Sequence, residues 1–267
     1  MTVWCNGQFV KKLHLNPAER GLMLGDGVFE TIAVRDGIAV WLDEHVTRLV
    51  SAAEELGITC EVTKIRSAIS AVLARSNATS EVLRVTLTRG PTLRGLATDG
   101  KTPSLIISLG AFDRATLPTS VRLATTSIRR NTTSPASHLK TLSYIDAIAA
   151  AREVATHADD ALMLNTDGNV ACATVANIFL LKAKMLITPA DDQAILKGIT
   201  RGKLIEGASK LGLGIECRAV RPAELHDADA VFLTNSLRLA VAVASVDGTA
   251  CGNKPNTFIH TFLIATK

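Results

Sequence analysis

The sequence is short of aromatic residues, basic runs, paired cysteines and long apolar stretches, and each shortage excludes something. Aromatics are 4% of 267 residues, and Tyr144 is the only tyrosine, so any phenol a site requires must come from that one position. Lys and Arg exceed Asp and Glu by only four (29 against 25), and no run of five basic residues occurs. Nucleic acid is therefore a poor partner for this chain. The apolar runs are short, as at Ile178-Phe-Leu-Leu181, well under the ~18–20 residues of a membrane helix. The first residues carry no basic stretch followed by an apolar one, so no secretory signal is visible. Five scattered cysteines without a C-x-x-C pair suit reduced thiols and argue against zinc. A cytoplasmic protein that uses neither membrane nor metal is expected.

What is present is a globular composition. Hydrophobic residues make up 47%, and a chain of this length buries roughly three quarters of its unfolded surface. Periodicity predicts a short strand at Ile38–Leu42, a helix over Asp43–Leu56 and a second over Lys64–Arg75. Leu83–Thr88 and Ser104–Leu109 alternate as strands, with a Gly-containing loop between them. Residues 113–120 are polar, include Pro118, and are the best linker. Beyond it come a strand at Val121–Thr125 and a helix over Tyr144–Thr156, with Ile145, Ile148, Ala151 and Ala155 facing inward. Strands follow at Ala161–Leu164, Asn177–Leu181 and Met185–Thr188, with Asp167-Gly168 turning between the first two. A helix over Ile199–Leu211 and strands at Ala230–Thr234 and Leu239–Ala244 complete the pattern. The reading is two α+β domains, residues 1–112 and 121–267.

The chemistry-bearing segments are spread along the chain. They are Glu19-Arg-Gly-Leu-Met-Leu-Gly-Asp-Gly-Val-Phe-Glu-Thr31, His45-Val-Thr-Arg-Leu49, Thr88-Arg-Gly-Pro-Thr-Leu-Arg-Gly95 and His138-Leu-Lys-Thr-Leu-Ser-Tyr144. Further on stand Asp167-Gly-Asn-Val-Ala-Cys-Ala-Thr-Val-Ala-Asn-Ile-Phe179, Lys197-Gly-Ile-Thr-Arg201 and Thr234-Asn-Ser236. In this order and spacing they resemble the class IV aminotransferase superfamily, the fold-type IV enzymes that use pyridoxal 5′-phosphate (PLP). The resemblance runs from about Trp4 to Val243. It implies a small α/β N-terminal domain, a larger PLP-binding domain with a barrel-like β core, and a homodimer.

The resemblance also implies roles. PLP chemistry requires one amine to hold the cofactor aldehyde and to move protons at the substrate Cα. Lys140 stands where that lysine belongs, although most lysines are solvated surface charges. The phosphate would lie on the backbone N–H groups of Ile199 and Thr200 at a helix N-terminus, with Arg48 and Ser236 adding contacts. Tyr144, four residues after Lys140 and one turn along if the helix reaches back, would meet the cofactor's O3′. At Cys172 the chain departs from the family, most of which carries a glutamate that pairs with the pyridine nitrogen. A thiol is a poor substitute, which leaves a carboxylate from elsewhere, a hydroxyl such as Thr174, or an unprotonated ring.

On the substrate side stand Phe29, Thr31, Arg89 and Arg94. A guanidinium fork suits a carboxylate, and the Arg89–Gly95 pattern looks like the chorismate-derived lyase branch, as does Thr31. The implied activity is that of a PLP enzyme acting on a small carboxylated amine, with 4-amino-4-deoxychorismate lyase favoured. A D-amino-acid or branched-chain aminotransferase is the rival, and a PLP-binding protein of low catalytic power the third reading.

Overall fold

The computed structural model describes residues 1–98, 100 and 102–252. The chain divides into two compact units, Met1–Thr116 with Leu139–Ser143, and Leu117–His138 with the described residues from Tyr144 on. The division falls between Thr116 and Leu117, inside the polar stretch 113–120. Residues 139–143 fold with the first unit, so Lys140 does not belong to the C-terminal body in which the sequence reading placed it.

The first unit contains β1 (Thr2–Cys5), β2 (Gln8–Phe9), α1 (Arg20–Leu24), β3 (Gly27–Arg35), β4 (Ile38–Ala39), α2 (Leu42–Glu55), α3 (Val62–Leu73), β5 (Ser80–Thr88) and β6 (Ser104–Ala111). Its sheet runs β2-β1-β6-β5-β3-β4, with every neighbouring pair antiparallel. Val28, Ile32 and Val34 of β3 pack with Leu83 and Val85 of β5 against Val46 and Leu49 of α2 and Ile65 and Ile69 of α3. Each such side chain contributes about 1.5–3 kcal/mol on leaving water. The expected strand at Ile38–Leu42 stops at Ala39, because Trp41 takes a left-handed conformation (φ 53°) and turns the chain directly into α2. The nine-residue β3 was not legible as a strand. Seven of its nine residues are buried, on both faces, so no alternation shows in the sequence.

The second unit contains β7 (Ser120–Arg130), α4 (Pro135–His138), α5 (Ile145–Val154), β8 (Asp160–Asn165), β9 (Val170–Ala173), β10 (Asn177–Lys182), β11 (Met185–Pro189), α6 (Ile199–Gly207), β12 (Gly214–Arg218), β13 (Ala230–Asn235), β14 (Leu239–Val246) and β15 (Thr249–Ala250). Strands β10, β13, β14, β7, β8 and β9 follow one another by pairing, and β9 pairs back to β10 at Cys172 and Asn177. That last pairing closes a six-stranded barrel, the β core that the resemblance implied. Its interior is filled from these strands by Leu123, Leu162, Val170, Ile178, Leu180, Val231, Leu233 and Val241. The rings of Phe179 and Phe232 stack at 5.4 Å on adjacent strands.

Two expectations fail in this unit. Helix α5 packs on β7 and β8 through Ala147, Ala150 and Val154, whereas Ile145 and Ile148 are 69% and 50% exposed. The alanine stripe allows close approach to the sheet, and the isoleucines lie off it. The Asp167-Gly168 turn leads into β9, a strand absent from the sequence reading, rather than straight to β10. No helix among the described residues is long and apolar enough to cross a membrane.

Candidate active site

Lys140 is held to β3 by main-chain bonds. The Phe29 N–H donates to the Lys140 carbonyl and the Leu142 N–H to the Gly27 carbonyl, each at 2.9 Å, and Val28 bridges Thr141. Gly27 is needed for this approach, because a Cβ there would meet the Leu87 carbonyl oxygen at 2.7 Å and Leu142 Cδ1 at 2.9 Å. Lys140 Nζ lies 4.4 Å from the centre of the Phe29 ring, and the Arg84 guanidinium lies 3.9 Å from the same centre.

Beside Phe29, Glu30 is buried on the helix-facing side of β3. It accepts from His45 Nδ1 at 2.6 Å and from Arg48 Nε and Nη2, both at 2.7 Å. His45 and Arg48 are three apart on α2, so one carboxylate reaches both. The His45 proton is assigned to Nδ1 by the carboxylate opposite it. Burial alone would raise the Glu30 carboxyl, but the hydrogen bonds and charges of His45 and Arg48 bring it down to about 2. Burial also holds the His45 imidazole below its usual value, against the pull of Glu30. Loss of hydration brings the Lys140 amine down to about 8. Glu30 opposes that fall, while Arg48 and Arg84 add to it.

Of the sequence-derived residues in this unit, Lys140, Arg48 and Phe29 therefore stand together. Thr31 joins them on β3, directly opposite Arg84 of β5. Arg89 does not. Its Nε and Nη2 bond Asp26, its Nη1 the Gly57 carbonyl and its Nη2 also the Leu56 carbonyl. Asp26 binds Arg20 as well, and Arg20 in turn holds the carbonyls of Gly95 and Leu96. Arg89 is thus a strut of the loop, not an open fork for a carboxylate. Arg94 is exposed on that loop. Arg84, Glu30 and His45 were missed. Their signal was a carboxylate on the nearly all-buried β3, an arginine on the strand paired with it, and a histidine one turn before Arg48.

The other expected residues belong to the second unit. Helix α6 starts at Ile199 after an extended Gly198, and no side chain caps its first turn. Its leading N–H groups are the donors that a helix leaves unpaired. Thr200 and Thr234 are 1% and 2% exposed, and neither hydroxyl has a partner in the protein. Thr200 is in that first turn, and Thr234 is the penultimate residue of β13, a strand in contact with α6. Ser236 follows in a turn that Asn235 braces by accepting from the N–H groups of Leu237 and Arg238. Buried hydroxyls without partners normally mark a missing acceptor or donor. Here they suit a phosphate, whose oxygens accept from such groups.

Cys172 and Thr174 tell a different story. Cys172 is buried on β9 with Ala150, Val154, Met163 and Ile195. Burial lifts its thiol above the ordinary cysteine value; Arg130 pulls against that and Asp160 reinforces it. The Thr174 hydroxyl donates to Asp160 Oδ1 at 2.6 Å, which commits its proton within the protein. Tyr144 is half-buried immediately before α5. That helix begins at Ile145, so the helical spacing expected between Tyr144 and Lys140 does not exist.

Residues 27–246 match the amino-transferase class IV family. A Methanocaldococcus jannaschii protein named for branched-chain-amino-acid aminotransferase activity is 32% identical, over 95% of this chain and 91% of its own length. A Legionella pneumophila crystal structure bearing the name of a 4-amino-4-deoxychorismate lyase superposes with a TM-score of 0.90 at 31% identity, covering 96% of this chain and 97% of that one. The PLP-bound form of a hypothetical aminotransferase from Mycobacterium tuberculosis gives a TM-score of 0.90 at 26% identity, covering 100% and 98%. The chain belongs to the class IV aminotransferase family.

Proposed function

We propose that the protein binds PLP on Lys140 and cleaves a small carboxylated amine, with 4-amino-4-deoxychorismate as substrate and pyruvate and 4-aminobenzoate as products. The observation that carries this reading is the Lys140 amine, fixed beside a buried Glu30–Arg48 pair and brought down to about 8. An amine of that basicity is partly unprotonated near neutral pH and can both attack and carry a proton. The residues fit the cofactor. In the second unit the first turn of α6 and the hydroxyls of Thr200, Thr234 and Ser236 supply donors of the kind that a phosphate dianion requires, and in the first unit Arg48 offers a guanidinium braced by Glu30.

When bound, the cofactor supplies an electron sink for the pair released as a proton leaves the substrate. Lys140 Nζ takes the proton from the carbon that bears the amine. The C–O bond to the enolpyruvyl group on the neighbouring ring carbon then breaks, and Lys140 returns the proton to the methylene carbon of the departing enolpyruvate, so the substrate's atoms are all accounted for in pyruvate and 4-aminobenzoate. Arg84, across from Thr31, serves a substrate carboxylate in place of Arg89. Cys172 places no carboxylate at the pyridine nitrogen, which hinders amino-group exchange more than elimination. Aromatisation supplies part of the driving force for elimination only. The relative at 32% identity supports a second reading, a branched-chain aminotransferase with the same lysine, and a relative named D-alanine aminotransferase, 28% identical, extends that reading to D-amino acids. The exposed Leu22, Met23, Leu24, Leu93 and Leu96 are consistent with a homodimer.

The test is a substrate panel: aminodeoxychorismate, D-alanine and L-leucine, the last two with 2-oxoglutarate, following pyruvate and keto acid. Pyruvate released from aminodeoxychorismate at least tenfold faster than any amino group is exchanged supports the lyase. The reverse ratio makes the protein an aminotransferase, and silence on every substrate leaves the low-activity reading.

A further inference from the structure

Glu30 carries none of the roles expected from the sequence, yet it is the most thoroughly enclosed of the charged residues that act on the Lys140 amine. Its side chain is 1% exposed, and its two oxygens take three bonds of 2.6–2.7 Å from His45 and Arg48. Because the Lys140 carbonyl accepts from the N–H of Phe29, the segment that carries the amine is held in fixed register beside the strand that carries this carboxylate. The charged or titratable groups of the first unit that face Lys140 are Glu30 from β3, His45 and Arg48 from α2, and Arg84 from β5. Two of the four are cations and one is a buried, neutral imidazole. Glu30 is the one anion.

We propose that Glu30 is a positioning residue for Lys140: its charge acts on the amine directly and, through the bidentate bond, also offsets Arg48, so that the amine can alternate between charged and neutral forms. Without the carboxylate, the burial cost and two arginines would weigh further against the ammonium and lower its protonation near neutral pH. His45 takes no charge in this scheme. Its Nδ1–H anchors one carboxylate oxygen, and its Nε2, buried without a partner, is best left unprotonated.

This inference rests on the reading of Lys140 as the reacting amine, and its test separates the two. Full-length protein stripped of carbonyl-bearing cofactor is labelled with trace acetic anhydride across pH 6–11 (assay range; about the span from His to Lys titration). The Lys140 peptide is then quantified by mass spectrometry. The wild type is expected to show a midpoint near 8, and a midpoint at 10.5, the ordinary lysine value, overturns the reading and the inference together. Glu30→Gln should lower the midpoint by about one unit or more, since an adjacent charge typically shifts a pKa by about 1–3 units. Glu30→Asp should restore it to within about half a unit.

A merely structural role gives the opposite sign: a loosened site hydrates Lys140 and raises its midpoint. Should Glu30→Gln alone not fold, the comparison is made on Arg48→Gln, where no buried guanidinium is left stranded. Adding Glu30→Gln to that background must again lower the midpoint by about one unit or more. A midpoint that stays put or rises in the background tested overturns the proposal.

Discussion

Two buried sites in this chain meet the same problem in opposite ways. Around Glu30 the protein buries a carboxylate and satisfies it completely, with an imidazole and a bidentate guanidinium. Around Cys172 it buries a neutral thiol among alanines, valine and isoleucine. The nearest carboxylate there, Asp160, is occupied by the Thr174 hydroxyl and the Ala161 N–H. A buried ion pair is retained at a cost in desolvation, and removing one member strands the other. A buried thiol costs almost nothing and does almost nothing electrostatically. The contrast shows where the protein invests charge: at the amine, not at the expected position of the ring nitrogen.

The comparison can be broken most severely at the amine proposed to react. Lys140→Ala should lower pyruvate or keto-acid release by about 10³-fold or more, because both the attacking amine and the proton carrier are lost. A variant within about tenfold of wild type would place the chemistry on another residue.

Next in size is stability. Glu30→Ala leaves Arg48 and His45 without their acceptor and should cost about 3–5 kcal/mol in urea unfolding. Cys172→Ala, with no charge to strand, should cost less than about 1.5 kcal/mol. Similar losses at the two positions would erase the difference drawn between them.

The pH dependence of the cofactor-free protein sharpens the same contrast. The Glu30 carboxyl is lowered from 4.5 to about 2, so between those values the unfolded chain holds a proton that the native state lacks. Stability from this group is present above pH 4.5 and is lost as pH falls toward 2. Lys140 is lowered from 10.5 to about 8, and again the unfolded chain binds the extra proton. Stability therefore rises as pH goes from 8 to 10.5. Each group contributes at most about 3 kcal/mol over its window. Glu30→Gln should flatten the acid limb of urea unfolding against pH, whereas Cys172→Ser should leave that limb unchanged.

The smallest effect is expected at the thiol itself. Cys172→Glu supplies the carboxylate that the site lacks and should raise single-turnover amino-group exchange by about tenfold, or ~1.4 kcal/mol of barrier. It should do less for pyruvate release. No gain with any amino donor, at matched cofactor occupancy, would show that another group already serves that position.

Much of this was legible beforehand, and the gaps have physical reasons. The amphipathic helices α2 and α3 declared themselves because one face of each is buried. Strand β3 did not, because it is covered on both faces and carries an ion-paired glutamate at a core position. The face of α5 was misassigned because two isoleucines outweigh two alanines on any hydrophobicity count, while packing against a sheet favours the smaller residues. Lys140, Arg48 and Thr200 are named as candidates by the resemblance, which composition and periodicity alone do not supply. Arg89 was misjudged for a different reason: nothing in the sequence tells that Asp26, sixty-three residues earlier, closes its fork. Spacing gives neighbours along an element; only the fold gives partners across it.

The central claim is that Lys140 is the amine on which the chemistry turns, and the most direct measurement is covalent mapping. Purified protein loaded with PLP is reduced with borohydride, digested, and its pyridoxyl-bearing peptide sequenced by mass spectrometry. The account predicts a yellow protein that bleaches on reduction and one label, on Lys140. A label on any other lysine, or no label at full PLP loading, would contradict it.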